Sequence, residues 1–360
     1  MRIPTRSSGF CSKPAAPDRA DMKACVEYLW VTAKDDAGSK TKIVDLAAVP
    51  TGPSDIPPFY TDSVSVFGET FDKVQDPNSP LNADCKLEPV RMVPFPSRSG
   101  YPGGSYLVLC EVLSPLDDTP HSTNTRAGLC AVLGEVADQE PWIGFEQEYR
   151  LWAVDEGDVL AEPMMSQEGA FVDQHMLACT QAGIALVGSN GEALPHCWEF
   201  QVGGPGADPL MAADHLWLAR WLLYRVGQGL GLVVDLDPSP AEGLWNGMST
   251  HTNFSTKAMR APDDGYEHIV AACEALKGAV DKHMAVYAEP EFGRRVAEFR
   301  PGRVPCRFTE FRYGVADRLA SVRIPGHVYA RGHGYLEDRR PCADADPYKV
   351  GRVLLETICL

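Results

Sequence analysis

Long apolar runs are missing from this chain. No stretch approaches the roughly 18 residues needed to cross a bilayer, and the basic, Pro- and Ser-rich start MRIPTRSSGFCSKPAAPDR is not followed by the continuous apolar segment of a secretory leader. The expectation is a cytoplasmic protein without a membrane partner, with residues 1–24 as a loose N-terminal arm. Positive charge is also scarce. Lys and Arg number 33 against 49 Asp and Glu, a net charge of −16. That argues against a nucleic-acid partner, which would want clustered cations to release counterions from phosphates. An acidic excess suits a protein that collects divalent cations. The eleven Cys show neither CxxC pairs nor His spacing, so neither a zinc site nor a disulfide framework is expected. They read as reduced thiols, several of them in the core. No internal repeat at a solenoid period is present.

What is present is an ordinary folding composition, 44% hydrophobic and 23% charged over 360 residues, long enough for two domains. Cys25–Thr32 (CVEYLWVT) is β-branched and aromatic, Ala33–Lys40 is turn chemistry and Thr41–Leu46 looks like the return strand. Pro- and Gly-rich sequence from Pro50 to about Gly104 predicts long loops, with a short strand at Tyr106–Val112. From about Arg126, helical periodicity at Met211–Gly229 and Tyr266–Met284 alternates with short hydrophobic runs. The fold class expected is α+β, with a small β-rich domain over 25–120 and a catalytic domain over 121–360.

The most informative segment is Trp142–Trp152, WIGFEQEYRLW, where Glu146 and Glu148 interrupt an apolar run. Residues two apart on a strand share a face, and two like charges held together are costly unless cations neutralise them. Glu192 and Glu199 form a second acidic pair within GSNGEALPHCWEFQVGG. WNGMSTHTNFSTKAMR carries a single His251 among Thr and Asn, and GYLEDRRP offers Glu337 beside Arg339 and Arg340. Five Glu and one His are enough for two hard-metal sites, because oxygen ligands suit Mg²⁺ or Mn²⁺ and no thiolate lies in the clusters.

Taken together, WIGFEQEYRLW, GSNGEALPHCWEFQVGGP, NGMSTHTNFSTKAMR, GVADRLASVRIP and GYLEDRRP resemble, in order and spacing, the signature blocks of glutamine synthetase, particularly its shorter eukaryotic-type form. The resemblance runs from about Val26 to the C-terminus and is dense from Trp142 onward. It implies a β-grasp N-terminal domain and a catalytic domain whose curved antiparallel sheet forms a funnel. It also implies ATP and Mg²⁺ or Mn²⁺ as cofactors, a small acid and an amine as substrates, and a homo-oligomeric ring with active sites between subunits. On this resemblance Glu148, Glu192 and Glu199 would hold the metal nearer the acid, and Glu146, His251 and Glu337 the metal on the nucleotide phosphates. Arg318 and Arg323 match phosphate-binding arginines, Arg339 one that bridges nucleotide and acid, and Arg260 a nucleotide contact. A guanidinium presents a fixed fork to phosphate, which fits that work.

The pattern breaks at the acid and amine end. The family's flap, an RRLTGxHE-like stretch, corresponds here to Gly293–Gly314, with Arg303 and Val304 at the His-Glu positions. Glu298 falls where the family has an α-carboxylate Arg, and a small shift would bring Arg295 or Arg300 there. The NGAGxH turn, which approaches the acid substrate, reads Asn246-Gly247-Met248-Ser249-Thr250-His251, so side chains are expected in space that glycine keeps open. The DGSS motif, whose Asp serves the neighbouring subunit's site, appears as Asp62-Ser63-Val64-Ser65.

All six ligand positions keep the expected residue types while the specificity elements change. A decayed enzyme should lose both. The expectation is therefore an ATP-dependent carboxylate-amine ligase with a non-standard amine or acid, with hydrazine- or hydroxylamine-type nucleophiles and small primary amines as candidates. Authentic glutamine synthetase with a divergent flap, a non-catalytic nucleotide or amino-acid sensor, and a kinase that stops at phosphorylation are the other readings.

Overall fold

The computed structural model describes residues 22–74, 79–154, 160–237, 248–287 and 311–360. Strands β1 (Lys23–Val31) and β2 (Ala37–Asp45) pair antiparallel along their whole length, from Lys23↔Asp45 to Val31↔Ala37. The turn is shorter than the sequence suggests. Gly38, Ser39 and Lys40 read as turn residues, yet they lie in β2, an edge strand whose exposed face tolerates them.

β3 (Phe59–Asp62), helix α1 (Ser63–Phe67), β4 (Asp84–Pro94) and β5 (Ser105–Leu113) complete a sheet ordered β2-β1-β5-β4-β3. Its β1–β5 pair is parallel and the others antiparallel. β4 corrects the expectation of long loops over Pro50–Gly104. Its prolines hid it: the β4–β5 register shifts between Pro89 and Arg91, and Pro94 closes the strand, so neither proline interrupts a regular ladder.

The first strand is buried on both faces. Val26, Tyr28 and Trp30 pack with Val108, Cys110 and Val112, while Leu29 and Val31 join Leu107 and Leu109 in the main core. That explains a strand with almost no polar alternation.

The rest of the chain contributes α2 (Thr125–Glu135), β6 (Trp142–Val154), β7 (Leu160–Ala161), α3 (Met165–Gln181), β8 (Leu186–Gly191), β9 (Cys197–Gly203), α4 (Pro209–Leu230), β10 (Leu232–Asp235) and β11 (Thr250–Ser255). It continues with α5 (Gly265–Gly278), α6 (Val280–Tyr287), β12 (Tyr313–Val315), β13 (Val322–Ile324), α7 (Gly326–Arg331), β14 (Leu336–Asp338) and α8 (Pro347–Ile358). The second sheet is a curled one ordered β12-β13-β14-β11-β6-β9-β8, with β10 and β7 also on β6. It is antiparallel, as expected, with one parallel pair, β12–β13, at its edge.

α4 follows the Met211–Gly229 periodicity and extends it. Asp208 caps it by accepting from Met211 N, and Gly231 ends it at φ +68. The Tyr266–Met284 helix is broken at Ala279 into α5 and α6. Among the described residues no helix is long and apolar enough to cross a membrane.

Buried His175 on α3 makes the core pH-sensitive. Its Nε2 donates to Ala219 O at 3.1 Å, and burial holds its pKa down at about 4. The unfolded chain takes up this proton near pH 6.5, the folded one only near 4. Between those values the unfolded state binds more protons, so stability falls as pH drops and the loss is complete below 4. The gap corresponds to about 3 kcal/mol. Urea unfolding midpoints should therefore drop more between pH 7 and 4.5 in the wild type than in His175→Gln. Parallel pH dependence in the two proteins would rule His175 out as the cause.

Candidate active site

Strand register brings the acidic residues together. Glu146 and Glu148 lie two apart on β6 and share a face. The β6–β9 pairing sets Glu148 directly opposite Glu199, and the β6–β11 pairing sets Glu146 opposite His251. β14 lies on the other side of β11, with Glu337 paired to Asn253. Gly203 lets β9 end tightly against β6: at φ +81, a Cβ there would lie 2.8 Å from Ile143 O.

Two groups result. Glu146, His251 and Glu337 offer atoms within 4.8 Å of one another, and so do Glu148, Glu199 and His251. His251 stands between them, with Nδ1 3.6 Å from Glu146 and 3.8 Å from Glu337, and Nε2 3.9 Å from Glu148. Glu192, which the resemblance groups with Glu148 and Glu199, is not one of the three. It follows the end of β8, where its carboxylate accepts from Asn190 at 3.1 Å.

The electrostatics are those of a crowded acidic floor. Burial and the charge of Glu146 push the Glu199 carboxyl up to about 7. Burial and Glu148 raise Glu192 as well. Burial also pushes Glu146 up, but His251, Asn253 and Arg339 outweigh it and leave it below the ordinary value. For His251 burial pulls down, and Glu148 and Glu146 reverse the sign.

Carboxylates paired directly across strands repel one another, and His251 Nε2 is buried with no hydrogen-bond partner among the described residues. Oxygen donors with one imidazole form the donor set expected of a hard divalent cation. The residues fit such ions.

The arginines divide. Arg323 on β13 and Arg339 just after β14 both donate to Glu337, the former at 2.6 Å. Arg318 is exposed on the segment between β12 and β13. Arg260 stacks on Trp142, 3.5 Å from the ring centroid, and donates to Glu140 O and Ser255 Oγ. Those partners hold it at the start of β6, whereas Glu148 lies mid-strand. Asp62 ends β3 and caps α1 by accepting from Ser65 N at 2.7 Å. Asn246, Gly247, Arg295, Glu298, Arg300, Arg303 and Val304 lie outside the described residues. Met248, expected to intrude where glycine leaves room, is 3% exposed and packs with Cys197 and Ala343, so an apolar cluster takes up its bulk.

Several contributors went unread in the sequence. Asn253 donates to Glu146 at 2.7 Å, Gln201 to Glu199 at 2.6 Å, and Ser249 N to Glu148 at 2.6 Å. Asn253 and Gln201 each lie two residues beyond a singled-out residue, so strand alternation could have found them. Arg220 could not have been found that way. From α4 it donates to Gln147, between the two glutamates of β6, and to Thr250, the neighbour of His251, as well as to the carbonyls of Ala343 and Ala345. None of those partners is a carboxylate. This buried guanidinium ties β6, β11 and the segment after β14 together beneath the acidic face.

No protein-family model matches the chain. Curated relatives do. It is 39% identical over 354 residues to a glutamine synthetase of Streptomyces viridochromogenes, covering 92% of this chain and 96% of that one. It is 41% identical over 296 residues to a chloroplastic glutamine synthetase of Chlamydomonas reinhardtii, covering 77% and 75%. It is 37% identical over 353 residues to glutamine synthetase 1, mitochondrial, of Drosophila melanogaster, covering 92% and 83%. Identity of 37–41% over 77–92% of the chain means that it belongs to the glutamine synthetase family.

Proposed function

We propose that this chain is an ATP-dependent ligase that joins a glutamate-like acid to an amine through an acyl phosphate, and that its amine or its acid differs from the ammonia and glutamate of its namesakes. The phosphoryl-transfer half rests on one observation, the two ligand groups that share His251. Glu146, His251 and Glu337 are the residues to hold a cation at the nucleotide. Glu148 and Glu199, with Glu192 alongside, are the ones to hold a cation at the acid. Bound there, Mg²⁺ or Mn²⁺ would neutralise charge on the phosphates while the acid's carboxylate attacks in line.

Arg323 and Arg339, gathered on Glu337, supply guanidinium forks for phosphate oxygens, and exposed Arg318 adds a third. Arg339 is also the group to bridge nucleotide and acid, with Asn246 and Gly247 as residues to contact the acid. In a homo-oligomeric ring Asp62 would serve the neighbouring subunit's site. Burial raises its carboxyl, but hydrogen bonds from Ser65 prevail and keep it below its ordinary value, so it is an anion that can accept a hydrogen bond from the amine.

The altered substrate rests on residue identities: Arg303 and Val304 replace the flap's His-Glu pair, and Ser249 replaces a turn glycine. An amine less basic than ammonia arrives already deprotonated and needs no flap carboxylate. The names of the relatives favour the second reading, authentic glutamine synthetase.

ADP release separates the two, measured with Mg²⁺ across acids (glutamate, aspartate, short aliphatic acids) and amines (ammonia, hydroxylamine, hydrazine, short alkylamines), with products identified by mass. The expected result is fastest amide formation with an amine other than ammonia or an acid other than glutamate. Turnover confined to glutamate and ammonia would establish the second reading, and ATP binding without turnover on any pair would point to a sensor.

A further inference from the structure

β14 has two faces. Glu337 belongs to the acidic cluster, whereas Asp338 turns to the opposite side and is wholly buried. There it accepts from Arg340 three times, from N at 3.1 Å, Nε at 2.8 Å and Nη2 at 2.7 Å. It also accepts from the Tyr287 hydroxyl at 2.8 Å.

The protons along this path follow by elimination. Tyr287 has one hydroxyl proton and gives it to Asp338. His283 Nδ1, 2.8 Å from that same hydroxyl oxygen, must then be the N–H donor, and His283 Nε2 accepts from Thr357 Oγ1 at 2.9 Å. The imidazole is neutral in this arrangement, as burial and the adjacent Arg340 require by holding its pKa near 4. Arg340 Nη2, 3.4 Å from Nδ1, is a donor too and directs its bond to Asp338. One directed chain thus runs from α8 through α6 to the strand that bears Glu337.

Aromatic packing fixes the Arg340 end. The Arg340 guanidinium lies 5.2 Å from the ring of Tyr287 and 5.1 Å from that of Phe311. Cys342 N donates to Tyr287 O at 3.0 Å, a second tie between α6 and the segment after β14.

We infer that Tyr287, His283 and Arg340, acting through Asp338, are positioning residues that hold Glu337 and Arg339 in the geometry needed to grip a divalent cation and the phosphates around it. Any turn of the strand at Asp338 swings the two flanking side chains on the other face. Groups that orient ligands in this way typically contribute 10–100-fold to metal affinity. The inference rests on the reading of Glu337 as a metal ligand.

The test is Mn²⁺ titration of the metal-free full chain by calorimetry, with unfolding temperatures measured alongside. Tyr287→Phe removes one hydroxyl. Tyr348→Phe is a matched control, since the Tyr348 hydroxyl donates to buried Asp214 at 2.7 Å beside two arginines and, among the described residues, has no hydrogen bond to the cluster. Both variants should lose some thermal stability, but only Tyr287→Phe should weaken one of two Mn²⁺ sites, by about tenfold or more, and leave the other unchanged. Thr357→Val, which cuts the chain at its far end, should weaken the same site to a smaller degree and serves if Tyr287→Phe does not fold. Wild-type Mn²⁺ affinity in both folded variants would reduce the network to a structural role and overturn the inference. A wild type that takes up no Mn²⁺ would instead remove the metal reading, and the inference with it.

Discussion

Glu337→Gln is expected to lower ATP-dependent turnover by at least about a thousandfold while the protein stays folded. The residue is 2% exposed, contributes to the group shared with Glu146 and His251, and accepts from Arg323 and Arg339. Gln keeps the volume but removes the charge, and its amide N–H groups would face guanidinium donors that cannot accept. Charge stabilisation by a bound cation supplies several kcal/mol in reactions of this kind, and about 4 kcal/mol is a thousandfold in rate. Measuring ADP release together with the unfolding midpoint separates lost chemistry from lost fold. A rate within tenfold of wild type would show that Glu337 is no ligand that the reaction needs.

The second large effect concerns stability. Asp214→Ala should destabilise the protein by about 2–3 kcal/mol, because it removes a buried carboxylate shared by two half-buried guanidinium groups and a buried hydroxyl, although Arg126 keeps Glu111. Asp214 on α4 is wholly buried and accepts from Arg91 of β4 at 2.8 Å, from Arg126 of α2 at 2.8 and 3.1 Å, and from Tyr348 of α8. One carboxylate therefore joins the five-stranded sheet to three helices beneath the other sheet. Its loss removes the carboxylate that Arg91 and Arg126 share and leaves Arg126 paired with Glu111. An Asp214→Ala midpoint within about 1 kcal/mol of wild type, the range of an ordinary surface pair, would show that water replaces the carboxylate and that the junction is held by apolar packing alone.

The sequence was most legible where chemistry is local. Glu146 and Glu148, two apart in an apolar run, announce a shared strand face, and the strand is there. α4 was legible from its periodicity, and the structure adds the Asp208 cap and the Gly231 stop at its ends. β4 was hidden because its prolines read as loop, whereas a register shift accommodates one and the strand's end the other. The break at Ala279 carried one local signal, Gly278 just before it, but the same apolar spacing continues on both sides and hid it.

The sequence by itself supplied the candidates, five glutamates and one histidine, in ordered blocks whose spacing resembles a family. Only the tertiary structure decided how they divide. It placed His251 between two groups, left Glu192 beside the second one, gathered Arg323 and Arg339 onto Glu337, and brought Arg220 and Tyr287 up behind the strands from helices far away in the chain. The reason is physical. Alternation along one strand is written in neighbouring residues, but which residue lies opposite which depends on the register between strands, and that is set by the packing of the whole sheet against its helices.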